Sequence, residues 1–136
     1  MDRSIFISLP VTDLKTSIVF YEAIGFRNNA LFTDNIAACM VWSDTISFML
    51  LTHEKWRSFT CRPIPPVTSS EVMLFLSCPS REAVDALCDA AGAHGGTVDI
   101  NPVAEHGFMY TRDLTDPDGH ALGAMWMDAA AMADQG

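Results

Sequence analysis

No apolar stretch in this sequence approaches the roughly 20 residues that a membrane-crossing helix needs. Basic residues are scarce: 8 lysines and arginines stand against 17 aspartates and glutamates, for a formal net charge of −9. A surface that negative repels phosphate backbones and anionic lipids, so the composition argues against nucleic acid and membranes as partners. Cysteine is sparse and unpatterned. Cys39, Cys61, Cys78 and Cys88 form no CxxC pair, and none stands at a zinc-like interval from a histidine. They read as small hydrophobes of a reducing, cytoplasmic compartment. The opening MDRSIFISLPV has too short an apolar core, and no small-residue cleavage site, to suggest a secretory leader.

What is present suits one compact unit with a real core: 136 residues, 49% of them hydrophobic. SIFISLPV is a short apolar run closed by Pro10 and reads as a strand. In it Ile5, Ile7 and Leu9 share one face, and Phe6 and Ser8 the other. TDLKTSIVFYEAIGF then reads as a helix, with Asp13 as its cap, an apolar stripe at Leu14, Ile18, Tyr21 and Ile24, and Gly25 closing it. NNALFTD, IAACMVWSD and TISFMLLTH follow as strands separated by turn-forming Asp and Asn. A polar linker over about 54–70 carries Pro63, Pro65 and Pro66, which exclude a regular element there.

The order then repeats. EVMLFLSCP reads as a strand. Ser80 caps a helix whose Val84, Leu87, Cys88 and Ala91 share a face, and Gly95 and Gly96 stop it. TVDINPV, GFMYTRDL and HALGAMWMD read as strands, the last two joined by the turn residues Asp116, Pro117, Asp118 and Gly119. ISLPVTDLKTSIVFYEAIGF aligns with FLSCPSREAVDALCDAAGAH, with proline, cap and glycine at matching places. This is an internal duplication: one module over about 4–53, a second over about 71–128, and a frayed or short helical tail at 129–136.

The paired βαβββ pattern resembles the vicinal-oxygen-chelate superfamily of glyoxalases, bleomycin-resistance proteins and dioxygenases. Asp13, Leu14, Ser17, Phe20, Tyr21, Gly25 and Phe26 match that family's first helix, and DPDGH resembles its closing turn. The resemblance covers nearly the whole chain. It implies a single α+β domain over 1–128, in which two βαβββ modules form a cupped mixed sheet with the helices outside. It also implies a homodimer and a small molecule bound in the cup.

Family enzymes hold a divalent ion with one inward His or Glu from each of four strands, and the ion polarises substrate oxygens. Carried onto this sequence, those positions fall on Phe6, near Leu50, near Met73 and on Gly123. None can chelate, so the resemblance implies no metal and no cofactor in the usual place. The cup would instead be lined by Phe6, Ser8, Cys39, Phe48, Leu50, Met73, Phe75, Tyr110, Arg112, Gly123 and Met125, with His106 at its mouth. Tyr110 and Arg112 are unusual in an apolar sheet. A buried guanidinium requires a partner, either an anionic ligand or a nearby aspartate such as Asp113 or Asp116. Trp56 and Phe59 in the linker suit a lid or a dimer interface.

Three functions are compatible with these features. The first is metal-independent binding of a small hydrophobic or aromatic molecule. The second is a lyase or dioxygenase activity with non-standard ligands such as His53, Glu54 or His106, or a metal-free acid–base route through Tyr110 and Cys39. The third is a structural or regulatory dimer with a vestigial pocket. No residue is assigned a catalytic role from sequence.

Overall fold

The computed structural model of the chain describes residues 2–130; the end of the expected tail, 131–136, lies outside the described residues. The chain divides into two units, Met1–Ser69 and Ser70–Gly136. The first runs β1 (Ile5–Val11), α1 (Leu14–Ala23), β2 (Arg27–Asn29), β3 (Ala37–Ser43), β4 (Ile46–Thr52) and α2 (His53–Phe59). Its sheet has the order β1-β4-β3-β2, with β1 parallel to β4 and the other pairs antiparallel.

The second unit repeats this plan with β5 (Leu74–Ser77), α3 (Arg81–Ala93), β6 (Thr97–Val98), β7 (Ala104–Glu105), β8 (Met109–Thr115) and β9 (Ala121–Met127). Its sheet order is β5-β9-β8-β6, with β7 added along β8. Only the first and last strands of each module run parallel, because a helix crossover joins the first strand to the rest. The duplication read from the sequence is thus a duplication of topology, and the fold is α+β. No described helix is long and apolar enough to cross a membrane.

Local chemistry explains the helices. The Asp13 carboxylate accepts the Thr16 N–H at 3.2 Å, and the Ser80 hydroxyl accepts that of Ala83 at 3.0 Å. Gly25 and Gly95 sit at φ +115° and +98°, where a side chain would be strained. The stripe on α3 is buried as expected at Val84, Leu87, Cys88 and Ala91. On α1 the buried set is Leu14, Ser17, Phe20 and Tyr21, with Ile18 only half-buried. Tyr21 meets Phe20, Phe26 and Phe48 edge-on at 5.0, 5.2 and 5.7 Å between ring centroids. Each such ring, fully buried, contributes about 1.5–3 kcal/mol.

Three expectations are corrected. NNALFTD is a strand only as far as Asn29; the Asn29 side chain accepts the Leu31 N–H and starts a single 3₁₀ turn, Ala30–Phe32. The stretch from residue 54 does not begin as irregular linker: α2 fills its first part, capped by the Thr52 hydroxyl on the Lys55 N–H, and all three prolines fall after it. TVDINPV breaks after Val98 because Asp99 adopts φ +59°.

Arg81, at the start of α3, fastens the β7 hairpin. It donates to both Glu105 carboxylate oxygens at 2.7 and 2.9 Å and to the Gly107 carbonyl at 2.6 Å, with its guanidinium 4.4 Å from the Trp126 ring. Those hydrogen bonds, Arg81's first and the Gly107 N–H second, hold the Glu105 carboxyl down at about 2. A depressed carboxyl favours the folded state above its ordinary range near 4.5 and loses that contribution as pH falls toward 2. A carboxyl-detected NMR titration should place the Glu105 midpoint near 2 and move it up toward the ordinary range in Arg81→Gln, with the Gly107 N–H still holding it below that range; an unchanged midpoint in the variant would count against this clamp.

Candidate functional site

The strand registers assign every side chain to one of two faces. In the first unit Ile7 pairs with Phe48 and Leu9 with Leu50, and these face α1. The other face carries two cross-strand rows: Arg27, Val41, Ser47 and Phe6, then Asn29, Cys39, Met49 and Ser8. A cavity of about 510 Å³ opens on that face, lined by members of both rows together with Phe32, Ser43 and Asp44. Its size falls within the range of small-molecule sites. Phe6 and Phe32 are 65% and 67% exposed and flank it as aromatic walls, while Cys39, 4% exposed, lies in its lining near Met49.

This geometry sorts the expected site residues. Phe6 and Cys39 line the cavity, and Ser8 lies on the same face beyond it. Phe48 and Leu50 do not: at 1% and 0% exposure they are buried on the α1 side. The inward place on β4 belongs to Met49, one residue earlier than expected. Arg27, Asn29, Phe32, Ser43, Asp44 and Ser47 also line the cavity, and none was singled out from sequence. Polar residues on the short strand β2 and at the β3–β4 turn carry no apolar period that would have marked them.

In the second unit Phe75 and Met125 lie on the face away from α3, as does Gly123, paired with Phe75; Met73 is exposed just before β5. Tyr110 and Arg112 lie on the opposite face, with Leu114 beneath α3. The Tyr110 hydroxyl donates to Asp85 at 2.7 Å, and Arg112 donates to Asp85 at 3.0 Å and to Asp99 at 2.9 and 3.0 Å. The partners of Arg112 are therefore Asp85 and Asp99, neither a ligand nor Asp113 or Asp116. Its hydrogen bonds hold the Asp99 carboxyl below the usual range, and the Asp85 bond pushes the Tyr110 hydroxyl up. This network secures α3 to β8 and leaves neither side chain free for a pocket. His106 is exposed on the β7–β8 hairpin, its ring 6.4 Å from that of Phe108.

Four positions would hold a family metal ion. Phe6, Met49 and Met73 bring no oxygen or nitrogen donor, and methionine sulfur is a soft ligand ill suited to hard divalent ions. Gly123 is covered: a Cβ built there would collide with the Phe75 ring. Among the described residues, no three His, Cys, Asp or Glu side chains gather where an ion could be held. The residues present do not fit the group.

The thiols follow burial. Burial pushes the Cys88 thiol up to about 11, while Cys61 is exposed. At pH 8 a thiol-alkylating reagent should modify Cys61 first and Cys88 only in denaturant, read by peptide mass spectrometry; early labelling of Cys88 would contradict its place on the buried face of α3.

The model of the Glyoxalase/Bleomycin resistance protein/Dioxygenase superfamily matches residues 4–123. No curated protein sequence matches significantly. Among solved structures, the hypothetical protein SA1046 from S. aureus superposes with a TM-score of 0.78 at 24% identity, covering 93% of this chain and 94% of that one. A glyoxalase/bleomycin resistance protein/dioxygenase family enzyme from Burkholderia phytofirmans PsJN gives 0.73 at 19% identity, covering 90% and 96%. TnmS3, an antibiotic binding protein from Streptomyces sp. CB03234, gives 0.62 at 21% identity, covering 93% and 97%. At these identities the structural likeness establishes the fold alone.

Proposed function

This chain belongs to the Glyoxalase/Bleomycin resistance protein/Dioxygenase superfamily, and within that family we propose that it binds a small hydrophobic or aromatic molecule without a metal ion. The observation that carries this reading is the cavity of about 510 Å³ on the open face of the first module. Phe6, Phe32, Val41 and Met49 supply its apolar walls. The chelating positions are filled by side chains that cannot hold a Lewis-acidic ion. Binding therefore rests on shape and apolar burial, with a few polar anchors for orientation. TnmS3, which shares the fold, is a relative whose role is binding.

We also propose that the chain works as a homodimer. Met73 and Phe75 leave large apolar side chains exposed on the second module, 56% and 43%, which a second copy would cover.

Elemental analysis of protein purified without chelator tests the central reading, paired with a thermal-shift measurement using 2-naphthamide. The expected result is far less than one divalent ion per chain and a midpoint raised by the probe equally with and without EDTA. One firmly held ion per chain, or a probe effect abolished by EDTA, would overturn it.

A further inference from the structure

The polar groups of the cavity are not equivalent. The Asn29 side-chain oxygen accepts the Leu31 N–H, and the Ser43 hydroxyl accepts that of Thr45, so both are oriented by local backbone through their acceptor oxygens. Ser47 is different. It lines the cavity and makes no side-chain hydrogen bond among the described residues; because no buried polar side-chain atom there lacks a partner, its hydroxyl is reached from the cavity. Arg27 is the cavity's cationic side chain, and it takes part in no ion pair among the described residues. By contrast Arg81 and Arg112 are both held by carboxylates.

Arg27 and Ser47 stand in the same cross-strand row with Val41 between them. Their backbones are separated by two strand spacings, about 10 Å. Both donors line one cavity, with Val41 between them in the row and Phe6 and Phe32 among its other walls. A guanidinium offers a planar fork that matches a carboxylate, and a hydroxyl can donate to the same group. On a chain of net charge −9, Arg27 is the cationic side chain at this cavity, with Asp44 as its anionic counterpart.

We infer that the ligand of this cavity is a ring-bearing apolar molecule with a planar carboxylate, which Arg27 and Ser47 hold together. This rests on the binding role proposed above and adds the ligand's charge and the residues that recognise it. Asp44 also lines the cavity and opposes an anion there, so its carboxylate tempers the affinity.

The test uses two probes of one shape, 2-naphthoate and its neutral amide 2-naphthamide, titrated calorimetrically into the full chain and into Arg27→Gln, Ser47→Ala and Asp44→Asn. Because Arg27 is exposed, the charge preference is modest: naphthoate should bind roughly fivefold more tightly than the amide. Arg27→Gln should erase that preference, bringing naphthoate affinity down to that of the amide. Ser47→Ala should weaken naphthoate severalfold, and Asp44→Asn should strengthen it. Equal affinity for the two probes in the wild type, or a preference that survives Arg27→Gln, would overturn the inference while leaving the binding role standing. Failure of both probes would remove the binding role and the inference together.

Discussion

Phe48→Ala should cost about 3–5 kcal/mol of folding stability, while Phe6→Ala should change it by less than about 1 kcal/mol. The two phenylalanines lie one register step apart on paired strands, since Phe6 pairs with Ser47, the residue before Phe48. Their environments are opposite. Phe48 is 1% exposed and its ring lies 4.8 Å from Phe26 and 5.7 Å from Tyr21, whereas Phe6 is 65% exposed on the cavity side. Truncating Phe48 leaves a void inside a rigid aromatic cluster that cannot collapse around it. Urea unfolding of the two variants, with unchanged slope, measures the difference. Comparable losses in both would contradict this assignment of the sheet's two faces.

The second large effect concerns ligand binding. Val41 is half-buried at the centre of the row between Arg27 and Ser47, on the face where the cavity opens. Val41→Trp places an indole in the space that the proposed ligand uses. Binding of 2-naphthamide should weaken roughly 100-fold or more, equivalent to at least about 2.7 kcal/mol. Stability should move by less than about 1 kcal/mol, because the added ring points into open space rather than into packed core. Full-strength binding by Val41→Trp would place the ligand elsewhere on the molecule.

Much of the fold was legible because its signals are local. Asp13 and Ser80 announce the two helix starts, Gly25 and the glycines after Ala93 their ends, and the Asp116–Gly119 turn the final hairpin. The duplication then fixes how the elements recur. The site was less legible, and the reason is parity. β4 reads ISFMLLT, apolar on both faces, so alternation could not tell Met49 from Leu50, and a one-residue shift exchanges the faces entirely.

On β8 the error had a signal that could have corrected it. Leu114 lies between Asp113 and Thr115 and is the residue that must go under the helix, which carries Arg112 and Tyr110 to the same side. Their partners, Asp85 on α3 and Asp99 in a left-handed turn, are distant in sequence and visible only once the strands are paired. Arg27 was missed because β2 is three residues long and polar, with no period to read.

The most direct measurement is a two-dimensional ¹H–¹⁵N NMR titration of chelator-treated protein with 2-naphthamide. Saturable shifts should gather at Phe6, Phe32, Cys39, Val41, Ser47 and Met49, with no divalent ion added. Shifts that arise only after a divalent ion is supplied, or that gather away from this strand face, would contradict the claim that recognition here is apolar and metal-free.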